Sequence, residues 1–176
     1  MRKIQLLILT LVCLCLFNGH ALAQPLIDAA RKGDINTIKE LLDSGADVNE
    51  KNNYQATALM FAAVSGHIEA VRLLIEKGAV VDEKNKEGAT ALMNATQQGH
   101  NQIVNLLIEK GANVNEKSNS GTTPLMWAAM MNHADTAKLL IGYGADVNTA
   151  IEGLEALTVK YPDSASYYKE GIKILK

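Results

Sequence analysis

A chain of 176 residues has room for one compact domain or one short solenoid, and not for two ordinary domains with separate cores. Acidic residues outnumber basic ones, 19 to 17, for a formal net charge of −2, a balance that argues against phosphate neutralisation and so against nucleic acid as a partner. Both cysteines, Cys13 and Cys15, lie near the start, so a chain beginning beyond them has no disulfide, thiolate ligand or thiol nucleophile.

Residues 1–23 differ in kind from the rest. Arg2 and Lys3 precede an apolar run from Leu6 to Phe17, Asn18 and Gly19 interrupt it, and Ala21, Leu22 and Ala23 supply small residues around an A-x-A cut after Ala23. The run falls short of the roughly 20 apolar residues that span a bilayer, so it reads as a cleaved secretory signal peptide and not as an anchor. Neither cysteine follows a small residue in the position that lipid attachment needs. The expected mature chain starts at Gln24, resides in the periplasm or is secreted, and carries 15 basic against 19 acidic residues, a formal charge of −4.

Beyond the signal the chain repeats itself every 33 residues. GADVN at Gly45–Asn49 returns as GAVVD at Gly78–Asp82, GANVN at Gly111–Asn115 and GADVN at Gly144–Asn148. TALM from Thr57 returns from Thr90 and as TPLM from Thr123; Gly66-His67 returns as Gly99-His100 and, weakened, as Asn132-His133. One period back from Thr57 falls on Gln24, where Pro25 and Leu26 match Pro124 and Leu125, so residues 24–51 form a first unit without its own finger. Pro25 is harmless early in a helix, where its missing N–H has no partner to lose. The following units span 52–84, 85–117 and 118–149.

Within a unit, the Thr caps a short Ala-rich helix, as over Ala58–Val64. The Gly of the Gly-His pair breaks it, and a second, antiparallel helix resumes with apolar residues at helical spacing, as Val71, Leu74 and Ile75. The glycines at 45, 78, 111 and 144 end the second helices in the left-handed conformation. The polar stretch that follows, Glu83–Ala89 for example, has turn chemistry and projects as a β-turn finger.

Taken in phase, TPLM with Ala128 and Ala129 behind it, the GH pair, the LLI segment and GADVN resemble the ankyrin repeat over roughly Gln24–Asn148. The resemblance implies an all-α solenoid of helix-turn-helix units with β-turn fingers. One departure stands out: Met60, Met93 and Met126 occupy the place of the His in the family's TPLH. The resemblance therefore implies the loss of an imidazole tie between finger and helix, with Met filling the space by flexible packing.

After Asn148 the period lapses. Ile151–Tyr161 carries Leu154, Leu157 and Tyr161 on one stripe, Pro162 breaks that helix, and Asp163 or Ser164 can cap another bearing Tyr168, Ile172 and Leu175. Residues 150–176 thus read as a helical hairpin closing the apolar end of the stack, a cap that repeat proteins require.

Candidate chemistry is sparse. His67, His100 and His133 sit one period apart, on the order of 10 Å in a solenoid, too far to share a metal ion, and so read as structural. Ser65, His67 and Asp82 can be drawn as a triad, but no strained nucleophile turn or oxyanion motif accompanies them. No phosphate loop, zinc-protease helix or calcium loop occurs. The expectation is a non-enzyme without cofactor or metal.

The resemblance implies a protein partner on the concave side, met by finger residues and the exposed ends of the first helices. On the fingers these are Asn53, Tyr54 and Ala56, then Lys86, Glu87 and Ala89, then Asn119, Ser120 and Thr122; the helix ends supply Arg31 and Lys32, Val64 and Ser65, Gln97 and Gln98, and Met130 and Met131. Met130 and Met131 read in two ways, as an adaptable apolar contact or as residues beneath the C-terminal hairpin. Trp127 also reads in two ways, as filler between units, which its place inside the helix motif favours, or as a binding anchor. The leading expectation is a monomeric module that binds a protein after export. Competing readings are a secreted effector or toxin-neutralising binder of a foreign protein, and a small-molecule or haem binder, against which the absence of a paired His site weighs.

Overall fold

The computed structural model describes residues 23–176, so the predicted signal segment, apart from Ala23, lies outside the described residues. Ten α-helices follow one another: α1 (Ala23–Lys32), α2 (Ile35–Asp43), α3 (Ala58–Val64), α4 (Ile68–Glu76), α5 (Ala91–Gln97), α6 (Asn101–Glu109), α7 (Pro124–Met130), α8 (Ala134–Gly142), α9 (Val147–Lys160) and α10 (Ala165–Leu175), with a 3-10 turn at Pro162–Ser164. First helices stack in one row, α1 on α3 on α5 on α7, and second helices in another, α2 on α4 on α6 on α8. This is the all-α repeat solenoid that the period implies.

Helices α3, α5 and α7 have seven residues each, too few to hold in isolation, and two devices keep them. Thr57, Thr90 and Thr123 each cap one, the hydroxyl accepting the amide of Met60, Met93 or Met126 at 3.4, 3.3 and 3.3 Å. Small side chains (Ala58, Ala62, Ala63) and the three capped methionines are buried between neighbouring units, so tertiary packing supplies what length cannot.

The histidines explain the Gly-His pairs. His67, His100 and His133 precede α4, α6 and α8, and each Nε2 reaches the carbonyl of Arg31, Val64 or Gln97, 36 residues earlier, at 3.0, 3.3 and 3.1 Å. A carbonyl only accepts, so Nε2 carries the proton and donates. Each imidazole thereby satisfies an orphan carbonyl at the end of the previous unit's first helix. The ring lies so close to Gly33, Gly66 or Gly99 that a Cβ there would come within 2.6, 2.9 and 2.9 Å of it. After the last unit no such histidine follows, and Asn132, at φ 58°, stands where the earlier units have the glycine.

The closing hairpin departs from the expected boundaries. Helix α9 begins at Val147, inside the last GADVN, because Asp146 caps it, accepting the amide and the hydroxyl of Thr149 at 3.0 and 2.6 Å. Leu154 is buried and Leu157 half-buried, but Tyr161 is exposed: the helix ends at Lys160 ahead of Pro162, and the Tyr161 ring leaves the stripe to lie near the Lys160 ammonium. Ser164 precedes α10 without a side-chain capping bond. Both α9 and α10 pack on α7, with Ile172 and Leu175 buried and Tyr168 half-buried.

Candidate functional site

Two rows of accessible side chains recur with the period, one at the ends of the first helices and one on the fingers. Each finger is a small hairpin. Asn52 N–H donates to Ala56 O, Asn85 N–H to Ala89 O and Ser118 N–H to Thr122 O, at 3.1 Å in all three. Inside the first two, the Asn side chain accepts amides: Asn52 Oδ1 those of Tyr54 and Ala56, Asn85 Oδ1 those of Glu87 and Ala89. Neighbouring fingers are then joined edge to edge, Lys86 N–H to Tyr54 O at 2.9 Å and Asn119 N–H to Glu87 O at 3.0 Å. The fingers are thus held by asparagines and by one another, which supplies the fixing that the buried methionines do not.

Below the fingers runs a charge ladder that the sequence reading missed. Lys51 pairs with Glu83, and Lys84 with Glu116 at 2.8 Å while also donating to Lys117 O. The Lys84 ammonium, hydrogen-bonded to Glu116, holds that carboxyl below its ordinary range. Glu50, the first member, has no such partner among the described residues; burial and the neighbouring Asp47 push its pKa up. The signal was available as the Glu-Lys pairs at 50–51, 83–84 and 116–117, in step with the period.

Most of the predicted site residues are open to solvent. Arg31, Lys32, Asn53, Tyr54, Lys86, Glu87, Gln98, Asn119 and Ser120 are exposed; Val64, Ser65 and Gln97 are half-buried. Tyr54 is the largest free side chain of the fingers, 67 % exposed. Three residues must be corrected. Ala56 is buried at the base of its finger, its amide held by Asn52 Oδ1. Thr122 is buried, its hydroxyl 3.0 Å from that of Ser120, as it closes the finger base. Met130 is 8 % exposed because α10 lies over it: Gly171 is set so close that a Cβ there would sit 3.1 Å from the Ala129 carbonyl carbon and 3.4 Å from the Met130 amide. Met131 is half-buried at the rim, accepting the Tyr167 hydroxyl on its sulfur at 3.5 Å. The hairpin therefore covers the last unit, and the open part of the face belongs to the first three units and the fingers.

Trp127, singled out in the sequence, proves to be the last of a column whose other members were missed: Asp28, Phe61 and Asn94 precede it, one period apart and all half-exposed on the first helices. Arg31 lays its guanidinium over the Phe61 ring at 4.6 Å and pairs with Asp28 at 3.7 Å. Trp127 packs against the core while keeping part of its surface. Its spacing, four residues after the capping Thr, was the available signal.

The paper triad does not assemble into working chemistry: His67 Nε2 is committed to Arg31 O, and Asp82 accepts the amide of Asn113 at 3.1 Å. Among the described residues no group of three or more His, Cys, Asp and Glu is placed to hold a metal ion, and no helix is long and apolar enough to cross a membrane. What the arrangement offers is a fixed surface of mixed chemistry. A family model described as ankyrin repeats in three copies matches residues 7–85 and again residues 79–151. No curated protein matches the chain.

Proposed function

The chain belongs to the ankyrin-repeat family, whose repeats generally mediate protein–protein interaction, and on that premise we propose that it is a non-catalytic module binding a protein partner after export. The observation that carries this reading is the face of the first three units. Arg31 and Lys32, Phe61 and Val64, and Gln97 and Gln98 succeed one another along stacked helices, beside fingers locked edge to edge. Such a surface runs from cationic through apolar to amide, and its backbone is already fixed, which lowers the ordering penalty of association. Aromatic and Arg side chains at its basic end, Tyr54, Phe61 and Arg31, are the types that dominate binding energy.

Export through residues 1–23 to the periplasm or beyond belongs to the same proposal and rests on the basic start, short apolar run and A-x-A cut. The acidic balance of the mature chain favours protein over nucleic acid. Affinity capture from extracytoplasmic extract, with the wild-type chain and a Tyr54→Ala, Lys86→Ala, Gln98→Ala variant as parallel baits, tests the reading. One stoichiometric protein retained by the wild type and lost by the variant is the expected result. Equal capture by both baits would remove the finger face from the account. A partner found only in extract of a foreign cell would favour the effector reading.

A further inference from the structure

The stack carries five methionines among the described residues, and they divide by environment. Met60, Met93 and Met126 are buried between units and Met130 beneath α10, whereas Met131 alone of the five reaches the rim, immediately after α7, with its sulfur under the Tyr167 hydroxyl at 3.5 Å. Tyr167 is itself 43 % exposed and leans edge-on against Tyr168 at 5.6 Å. A thioether at the water boundary, with a phenol as its hydrogen-bond donor, is accessible to small oxidants, while the other four are screened by packing.

We infer that Met131 is a reversible oxidation site for peroxides, and that its sulfoxide releases the first turn of α10 from the end of the stack. In the reaction a sulfur lone pair attacks one peroxide oxygen, the S–O bond forms as the O–O bond breaks, and the departing hydroxide takes up the remaining proton as water. The sulfur is oxidised by two electrons and the peroxide reduced by two. The new oxygen is polar and occupies space that the thioether did not. Placed along the line to Tyr167, it leaves less than a hydrogen-bond distance to the hydroxyl, so the phenol must swing away. Turned inward, it meets the apolar contact between α7 and α10, where burial of an unpaired acceptor is penalised. Either way the start of α10 loosens, while Gly171, Ile172 and Leu175, deeper in the contact, keep the second half seated. The change is local, and methionine sulfoxide reductases can reverse it.

The test is a hydrogen peroxide titration of the purified protein, read by peptide mass spectrometry and by amide hydrogen exchange. Met131 is expected to oxidise at least about ten-fold faster than Met60, Met93 and Met126, in line with its exposure. Exchange across residues 165–170 should accelerate in step with that oxidation, and amides of α3 should not change. Met131→Leu keeps volume and apolarity, so it should fold as the wild type does and lose the peroxide response of α10. Oxidation of Met131 no faster than of the buried methionines would overturn the inference, as would complete Met131 sulfoxide with unchanged exchange at 165–170, or an undiminished response in Met131→Leu.

Discussion

The joint between α3 and α5 and the joint between α7 and the closing hairpin perform one task with different chemistry. At the first, His100 donates to Val64 O and its ring fills the space that Gly66 leaves. The same strut recurs between α1 and α3 through His67 and between α5 and α7 through His133. At the last joint the histidine is gone: Gly171 brings backbone against Ala129, Met126 packs under Gly153, and Tyr167 donates to the Met131 sulfur. Directional polar struts set the spacing of repeats and can be reused indefinitely. An end cap has only to bury what is left, so it is built from apolar contacts that obey no period, and it covers part of the face the repeats would otherwise present.

The sharpest way to break the terminal joint is Met130→Asp. A carboxylate placed under α10 would be buried among apolar side chains, and stability should fall by about 3 kcal/mol or more. Denaturant unfolding followed by circular dichroism would report this, with helix loss centred on residues 147–175. The variant tests the cap and not a partner surface, since Met130 is buried. No change in midpoint would mean that the hairpin does not hold the stack.

The internal joint is probed by two glycines with similar backbone and different surroundings. Gly66 is at φ +80° with the His100 ring in the way of a Cβ, whereas Gly78 is at φ +92° with nothing within 4 Å. Gly78→Ala should cost about 1 to 2 kcal/mol from backbone strain alone, and Gly66→Ala about 2 to 4, because the imidazole must also be displaced. Equal losses in thermal or denaturant melts would argue that the histidine strut does not set the spacing.

A gain should come from making the joints more alike. Asn49 donates to Gly78 O and accepts Val80 N–H, and Asn115 treats Gly144 O and Asp146 N–H the same way, at 2.8–3.1 Å. Asp82, at the same place in its unit, only accepts, from Asn113. Asp82→Asn should add a donor toward Gly111 O and raise stability by roughly 0.5 to 1 kcal/mol, measurable as a higher urea midpoint.

The smallest effect concerns acid. Asp34 and Asp146 cap α2 and α9, and the hydroxyl and amide of Thr37 and Thr149 hold their carboxyls below the ordinary value of 3.8. A depressed folded pKa means that the caps contribute fully above that value and lose their contribution as pH falls through the lower, folded one. Amide exchange at residues 35–37 and 147–149 should rise together on acidification below pH 3.8. Exchange at those amides that stays flat on acidification would remove the carboxylate caps from the account of these two helix starts.

The repeats were legible in the sequence because each marker has a geometric reason to recur. Thr57, Thr90 and Thr123 cap, Gly33, Gly66 and Gly99 make room for a ring, and a 33-residue step keeps them in phase. The finger residues Tyr54, Lys86 and Asn119 could be located for the same reason, since a turn fixes which side chains project. Less visible were contacts that cross between units without a hydrophobic signature, such as the Lys84–Glu116 pair and the Asn49 bridge. The coverage of Met130 was not readable from its own unit: it depends on where α10 lies, and that follows from the Gly171 approach, forty-one positions away in the chain. Thr122 was placed on the surface by its finger register, yet its side chain turns into the finger base to meet Ser120.

The proposed contact with a protein partner lies on the fingers and first helices of the first three units. Photo-crosslinkable residues installed in the producing cell at Tyr54, Gln98 and Lys32, with Arg72 and Gln102 on the second helices as controls, test it most directly. One common adduct is expected from the first three positions and none from the controls. An adduct from Arg72 or Gln102 with none from Tyr54, Gln98 or Lys32 would contradict it, and would move recognition to the row of second helices.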